Sequence, residues 1–511
     1  MMGDSLRQSQ GNKKSKIISS IIVMLLFCVA HVMLFQFHEA WRDESQAWVL
    51  VRNSSFSDLF RICASEGHPA LWFLILYPFT RAGFSFYNFS YISIIIMTAA
   101  VGIWIYYGPF SLLTKLSVVF SPIFFYYNPI ICRVYAVLVL LFMLIACIWE
   151  KRFQHTILYG ILVGLLIQSH ILVIGVALGL LIDMVLETVV NCKREKLKLS
   201  DVIGLIIPII SLICFLFELR QRRGEQFFIK VSLSSLLRNL NLSNVFRGLL
   251  SVSNHFGKWI GPGLLTALFV MSFSLIYSSA KKKSFRSYVH EFIIMLCGFS
   301  AYWGIIVLVR KADHVQMAIV FWMIVLFCCW IYVANDKMKI FRYLDWAVGI
   351  ICAFSALFCV TKDAIFDVRE FYSGSKEIVE QINDTAPAQS VLIFENNERS
   401  TSPYAYLVES ENQYSFWDID NAEEYSVHIW GKNKKRNIEK DDIIKYAKSD
   451  FSGETRALYF VSSAKLDPAY DNAIICANTK PDKWNETYWV YDLNVIHPME
   501  EMKCKSILCL S

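Results

Sequence analysis

The feature that most constrains this chain is the succession of long apolar runs that fills its first 361 residues. Runs at 17–37, 88–107, 111–128, 131–149, 156–171, 172–190, 201–218, 258–279, 288–309, 315–333 and 344–361 are mostly close to the roughly 20 residues a helix needs to cross a bilayer core. With 55% hydrophobic and only 18% charged residues over 511 positions, an ordinary soluble protein is excluded. The expected fold is mainly α: a polytopic transmembrane bundle of about eleven spans.

Short cytoplasmic connections keep their Lys and Arg, and that bias fixes the orientation. Lys13, Lys14 and Lys16 precede the first run; Lys115, then Lys151 and Arg152, then Lys193 to Lys198, then Lys281 to Arg286, then Lys337 to Arg342 fill every second connection. The N-terminus is therefore expected in the cytoplasm and the C-terminus outside. The apolar stretch 70–80 is too short to span and is read as a half-inserted or interfacial helix, which keeps the alternation intact. Run 17–37 is longer than a secretory h-region and is read as an uncleaved helix.

From about Lys362 the sequence turns charged and alternating, with a helical stretch near 373–383 and strand-like segments at 391–394, 457–461 and 488–491. This gives two expected domains: a membrane domain over 1–361, with outer loops at 38–87 and 219–257, and a small extracytoplasmic α/β domain over 362–511. The fourteen cysteines show no C-x-x-C pairing and no zinc site. Cys476, Cys504 and Cys509 lie in the external tail, and their pairing stays open. No P-loop, dinucleotide fingerprint or repeat is present, and no nucleic-acid partner is expected.

The outer loops carry the chemistry. Asp43 and Glu44 form an adjacent acid pair between Trp41 and Trp48, whose seven-residue separation suits a helix lying in the interface with aromatic anchors. Carboxylates in such a place are costly unless used, and can serve as base, metal ligand or both. The bland alternative is a pair facing water. His68, before Pro69 and the short apolar stretch, offers a hydrogen bond or positive charge to a phosphate. Arg133, in Cys132-Arg133-Val134-Tyr135, has no acid nearby in sequence, so it either meets an anion or snorkels. Arg220 and Arg222 begin a basic outer loop, and Arg310, Lys311 and His314 sit at the next outer turn; basic residues outside run against the topology unless an anionic ligand compensates.

The order of these elements resembles the GT-C superfamily of integral-membrane glycosyltransferases, and within it the bacterial group similar to protein O-mannosyltransferases and lipid A aminoarabinose transferases (glycosyltransferase family 39-like). The acidic motif of that group matches Asp43-Glu44, its His-Pro-Pro motif matches His68-Pro69-Ala70 with one proline lost, and its Ala-Arg-x-Tyr motif matches Cys132-Arg133-Val134-Tyr135 with cysteine for alanine. The resemblance covers about the first 315 residues. It implies a polyprenyl-phosphate sugar donor, transfer with inversion to an extracytoplasmic glycan, lipid or protein acceptor, and a bacterial cytoplasmic membrane. It makes Asp43 the base and places Glu44 beside acceptor or cation. His68, Arg133, Tyr135, Arg220, Arg222, Arg310, Lys311 and His314 become the donor-phosphate ligands, although Asp313 stands where the group has a basic residue. A divalent cation, Mg or Mn, held by Asp43 and Glu44 stays open, since some members of the group need one and others do not.

A transporter or flippase for lipid-linked glycans would share the span number, but no acid lies at a midplane position and no inverted repeat of broken helices is visible. A polymerase acting on lipid diphosphates would use the outer arginines without needing a tryptophan-flanked acid pair.

Overall fold

The computed structural model describes residues 2–63, 66, 68–221, 289–309, 315–335, 340–359, 362, 365–370, 372–426, 428, 434–436, 438–439, 442–478 and 486–495. The protein is mainly helical with one small sheet near its C-terminus. The first ten α-helices are α1 (Met2–Leu34), α2 (Arg42–Asn53), α3 (Phe56–Cys63), α4 (Leu71–Arg81), α5 (Tyr91–Tyr107), α6 (Leu112–Val119), α7 (Tyr135–Ile148), α8 (Thr156–Ile167), α9 (Ile174–Lys193) and α10 (Leu199–Gln221). Among the described residues, four segments are long and apolar enough to cross a membrane: Lys14–Phe37, Phe86–Tyr107, Ile171–Lys193 and Leu199–Glu218. The expected run 258–279, together with Arg222, Arg310, Lys311, His314, Cys504 and Cys509, lies outside the described residues.

The expected run 111–128 is not one helix. Ser111 caps α6 by accepting the Thr114 backbone N–H at 3.3 Å, and the helix ends at Val119. After Ser121-Pro122 a π-turn, Ile123–Tyr127, re-forms the chain before Asn128-Pro129. Proline has no N–H to give and biases its predecessor out of the helical region, so two prolines in eight residues leave little room for a continuous span.

The chain divides into two compact units, Met1–Gln36 with Cys63–Trp72 and Ser90–Ile365, and Phe37–Ile62 with Phe73–Phe89 and Phe366–Ser511. In the first unit, α8 and α10 touch backbone to backbone. A Cβ on Gly160 would lie 2.0 Å from the Gly204 carbonyl oxygen, so only glycine permits this approach. Asp183 on α9 is fully buried and saturated: Arg152 donates to it through Nε at 2.9 Å and Nη2 at 3.2 Å, the Tyr159 hydroxyl donates at 2.9 Å, and His290 is bonded to its other oxygen. The Arg152 guanidinium also lies 3.6 Å over the Trp149 ring. A carboxylate so fully engaged is a tie between helices rather than a free titrating group.

The second unit carries a six-stranded sheet in the order β3-β2-β1-β4-β6-β5, built from β1 (Val391–Phe394), β2 (Ser415–Asp418), β3 (Glu423–Glu424), β4 (Leu458–Ser462), β5 (Ile474–Ala477) and β6 (Trp489–Asp492). β2, β1 and β4 run parallel, and β3, β6 and β5 add antiparallel edges. The fully buried, continuously apolar β1 suits the centre of such a sheet. Helices Ser375–Thr385, Thr401–Leu407 and Ile443–Asp450 accompany it, and Val391, Ile393, Ile419, Phe460 and Tyr491 form its core. Cys476 is buried, and its thiol donates to the Thr385 hydroxyl at 3.6 Å.

This unit differs from the expected 362–511 domain in one respect. It also takes in the first outer loop, 37–62 and 73–89, from the opposite end of the sequence. The expectation of an interfacial α2 anchored by Trp41 and Trp48 is corrected accordingly: the two rings are 4% and 1% exposed, Trp48 lies against Phe84, Phe86 and Phe89, and Glu44 to Val51 are all buried. α2 is a core helix of the α/β unit.

Helix ends explain how loop and domain are joined. The first N–H groups of a helix lack intrahelical partners and attract carboxylates. Glu486 from the tail accepts the Arg42 N–H that opens α2 (3.2 Å), while Glu39 from the loop accepts the Lys376 N–H that opens Ser375–Thr385 (3.0 Å). Each part thus caps a helix of the other. A third clasp is Glu409, which accepts from Phe86 N–H at 2.9 Å, the Ser85 hydroxyl at 2.6 Å and Arg52 Nη1 at 3.1 Å.

These buried ionisable groups make the unit respond to pH. Burial alone would drive the His38 imidazolium to lower pKa, but the Glu44 and Asp367 carboxylates, each 3.1 Å away, outweigh it and hold His38 at about 10. Burial raises Glu39 to about 8 and Glu486 to about 7, against the pull of the N–H groups they accept. All three groups keep protons in the fold that they give up on unfolding, so their contribution to stability grows as pH falls and is lost as pH rises toward 10. His428, lowered to about 4 by burial and Lys434, works the other way, but only below its unfolded value near 6.5. The thermal midpoint of the solubilised protein should therefore rise by roughly 5 °C or more between pH 9.5 and 6.5, and His38→Gln should flatten that slope. A midpoint independent of pH in this window would refute the assignment.

Candidate functional site

Asp43 and Glu44 belong to the second unit, and His68, Arg133 and Tyr135 to the first. Each set has its own geometry.

In the first unit, three interhelical breaks converge, and each precedes a helix. His68-Pro69 precedes α4, Arg133-Val134 precedes α7, and Gln168-Ser169-His170 precedes the 3-10 turn Ile171–Val173 and α9. The Leu71 N–H donates to the Gln168 carbonyl at 3.2 Å, tying the first break to the third. Arg133 Nη2 donates to His68 Nε2 at 3.1 Å, tying the second to the first. Arginine has only donors, so His68 Nε2 is the accepting nitrogen and the ring's proton sits on Nδ1.

His170 closes the cluster. Its ring lies 5.0 Å from His68 and 5.4 Å from Tyr135, and the Arg133 guanidinium lies 5.5 Å over Tyr135. The Leu172 N–H donates to His170 Nδ1 at 3.1 Å, which leaves Nε2 as the nitrogen that donates. His68, Arg133, Tyr135 and His170 thus make a ring of contacts. Beside it start α4, α7 and the turn into α9, whose N-terminal dipoles favour negative charge. Guanidinium, imidazole and phenol groups at helix N-termini can bind a phosphate through charge-assisted bonds. His170 escaped the sequence reading because it falls at the joint of two apolar runs; the polar triplet Gln168-Ser169-His170 was the signal for it.

In the second unit, the members of the acid pair have separate fates. Glu44 is fully buried; its Oε2 accepts from His38 Nε2 at 3.1 Å and from the Trp41 backbone N–H at 3.3 Å, closing the first turn of α2. Asp43, next along the helix, has a side chain 30% exposed, with Arg42 Nε 3.8 Å away. Arg42 also donates to Glu398 at 2.7 Å. Asp43 is thus the carboxylate of the pair that is open to solvent. Among the described residues no group of three or more His, Cys, Asp or Glu side chains is placed to hold a metal ion. With Glu44 engaged by His38 and Trp41, the pair does not fit a shared divalent cation. Of the remaining sequence candidates, Arg220 lies in the last turn of α10 with its side chain outside the described residues, as are Arg222, Arg310, Lys311 and His314.

Comparison of the chain with family models, with curated proteins and with solved structures finds no match.

Proposed function

We propose that this chain is an integral-membrane glycosyltransferase that moves a sugar from a polyprenyl-phosphate carrier to an extracytoplasmic acceptor, a glycan, lipid or protein of the cell envelope. In this reading the bundle crosses a bacterial cytoplasmic membrane about eleven times, the third crossing being the broken segment of α6 and the turn Ile123–Tyr127, with the N-terminus inside and the α/β unit outside. The observation that carries it is the closed cluster of His68, Arg133, Tyr135 and His170 at converging helix starts, in a unit rich in apolar helices. A prenyl chain is soluble among such helices, and its phosphate needs cationic and N–H donors where the helices begin.

The chemistry follows from the roles. A general base, the role the sequence resemblance gives to Asp43, takes the proton from the acceptor hydroxyl as the oxygen attacks the anomeric carbon. The bond from that carbon to the phosphate oxygen breaks, its electron pair leaves with the lipid phosphate, and Arg133, His68 and His170 stabilise the charge that develops there. One displacement inverts the anomeric centre.

The test is direct. Membranes of the host lacking the protein should accumulate a polyprenyl-phosphate sugar, and the purified protein should consume that lipid when acceptor is restored. An unchanged pool of lipid-linked sugars in the deletion strain would sink the proposal.

A further inference from the structure

The loop between the first two apolar spans leaves and returns at one face of the membrane. Lys14–Phe37 and Phe86–Tyr107 are each long and apolar enough to cross. Between them α4 has only 11 residues, short of the roughly 20 that a crossing needs, so the loop stays on a single side. Within it the chain leaves the α/β unit after Ile62, at the end of α3, and re-enters it at Phe73, on α4. α3 therefore lies beside a passage between the α/β unit and the unit of apolar helices.

α3 has two unlike faces. Leu59 is fully buried, whereas Phe56 and Phe60, one turn apart, are 52% and 39% exposed. Their rings meet at 5.6 Å, and Phe56 meets Tyr77 of α4 at 5.4 Å, so aromatic side chains from two helices form one patch. The charges beside it serve helix ends. Asp58 accepts from the Ser55 hydroxyl at 2.7 Å in the first turn of α3. The Arg81 guanidinium, 4.6 Å over the Tyr77 ring, donates to the carbonyls of Val51, Arg52 and Ser54, where α2 ends. Arg81 thereby fixes α4 to the end of α2, from which α3 follows, and the patch is held in shape as well as exposed.

The size of the patch selects its partner. Two half-exposed phenylalanines of roughly 200 Å² each offer about 200 Å², whereas a stable protein interface buries roughly 800 Å² on each side. A bilayer surface asks for less, because aromatic side chains concentrate there singly, at the boundary between headgroups and acyl chains. Other exposed apolar side chains of the α/β unit agree with this. Phe37 closes the first span, Tyr87 lies in the opening turn of the next, and Val368 follows the passage at Ile365. We propose that Phe56, Phe60 and Tyr77 seat the α/β unit in the headgroup–acyl boundary of the lipid leaflet on its side of the membrane. The lipid contact that the sequence suggested for α2 thus belongs to α3. It is independent of the transferase reading.

Photo-crosslinking of the full-length protein in phosphatidylcholine nanodiscs tests this. p-Benzoylphenylalanine introduced at Phe56 or Phe60 should yield phospholipid adducts on irradiation, read by mass spectrometry. The same probe at Tyr446, exposed to the same 39% as Phe60, should yield none. Replacing both rings, Phe56→Ser with Phe60→Ser, should raise amide exchange across α3 by roughly tenfold, because a short helix deprived of a supported face frays, while the rest of the α/β unit stays as protected as before. Crosslinks to a second copy of the chain or to another polypeptide in place of lipid, adducts as abundant at Tyr446 as at Phe60, or no adduct at either phenylalanine would overturn the assignment. Exchange across α3 that ignores the double substitution would overturn it too.

Discussion

Asp43→Asn should lower transfer by about a thousandfold while leaving the protein folded, because it removes a general base and preserves side-chain volume. Asp43 is partly exposed on the first turn of α2, and its neighbour Arg42 keeps a partner in Glu398 when the Asp43 charge is removed. Glu44→Gln separates the two roles. Its carboxylate is buried and faces His38, and removing that charge leaves a buried imidazolium with Asp367 as the remaining partner. Breaking such a pair costs about 3 kcal/mol, so this variant should lose thermal stability first and turnover only as a consequence. Single-turnover assays at saturating acceptor, alongside thermal midpoints, distinguish the two. Full activity in Asp43→Asn would remove it from the mechanism, and equal catalytic losses with equal stabilities would return Glu44 to the reacting site.

Local patterns were legible in the sequence, and long-range partnerships were not. The apolar runs announced the helices, and Val391–Phe394 was placed as a strand to the residue because a short β-branched and aromatic run between turn formers has few alternatives. Ser415–Asp418 and Ile474–Ala477 were not visible, since each is four residues of mixed polarity that pairs only because a neighbouring strand is already there. The same limit applies to the acid pair. Its interfacial character was inferred from Trp41 and Trp48, and aromatic anchors and buried core tryptophans look alike until the covering partner is known. That partner begins more than 300 residues later, and its signals, Glu39 beside His38 and an isolated Glu486, carry no periodicity. In the first unit, His68 and Arg133 were read as polar groups at apolar boundaries, where desolvation cost is the signal, and Tyr135 through the motif resemblance; the structure brings the three side chains together with His170.

Arg133 offers the second large effect. Its guanidinium meets His68 through Nη2 and covers Tyr135, so the side chain is already oriented before any anion arrives. If it holds the donor phosphate, Arg133→Lys keeps one charge but loses the planar two-pronged contact and the orientation set by His68. Transfer per unit of donor should then fall by roughly tenfold to a hundredfold, and Arg133→Ala should fall further. The phosphate is present both in the bound donor and in the departing lipid, so much of the loss should appear as a raised KM for the polyprenyl-phosphate sugar, with the acceptor dependence unmoved. His170→Gln supplies the internal comparison. Glutamine keeps a donor but not the ring that lies between His68 and Tyr135, so it should show the same shift in donor KM at smaller size. Measuring rate against donor concentration for the three variants decides the matter. A donor dependence unchanged in all of them would reduce Arg133 to a snorkelling anchor and move the search for the phosphate ligand to Arg220, Arg222 and Arg310.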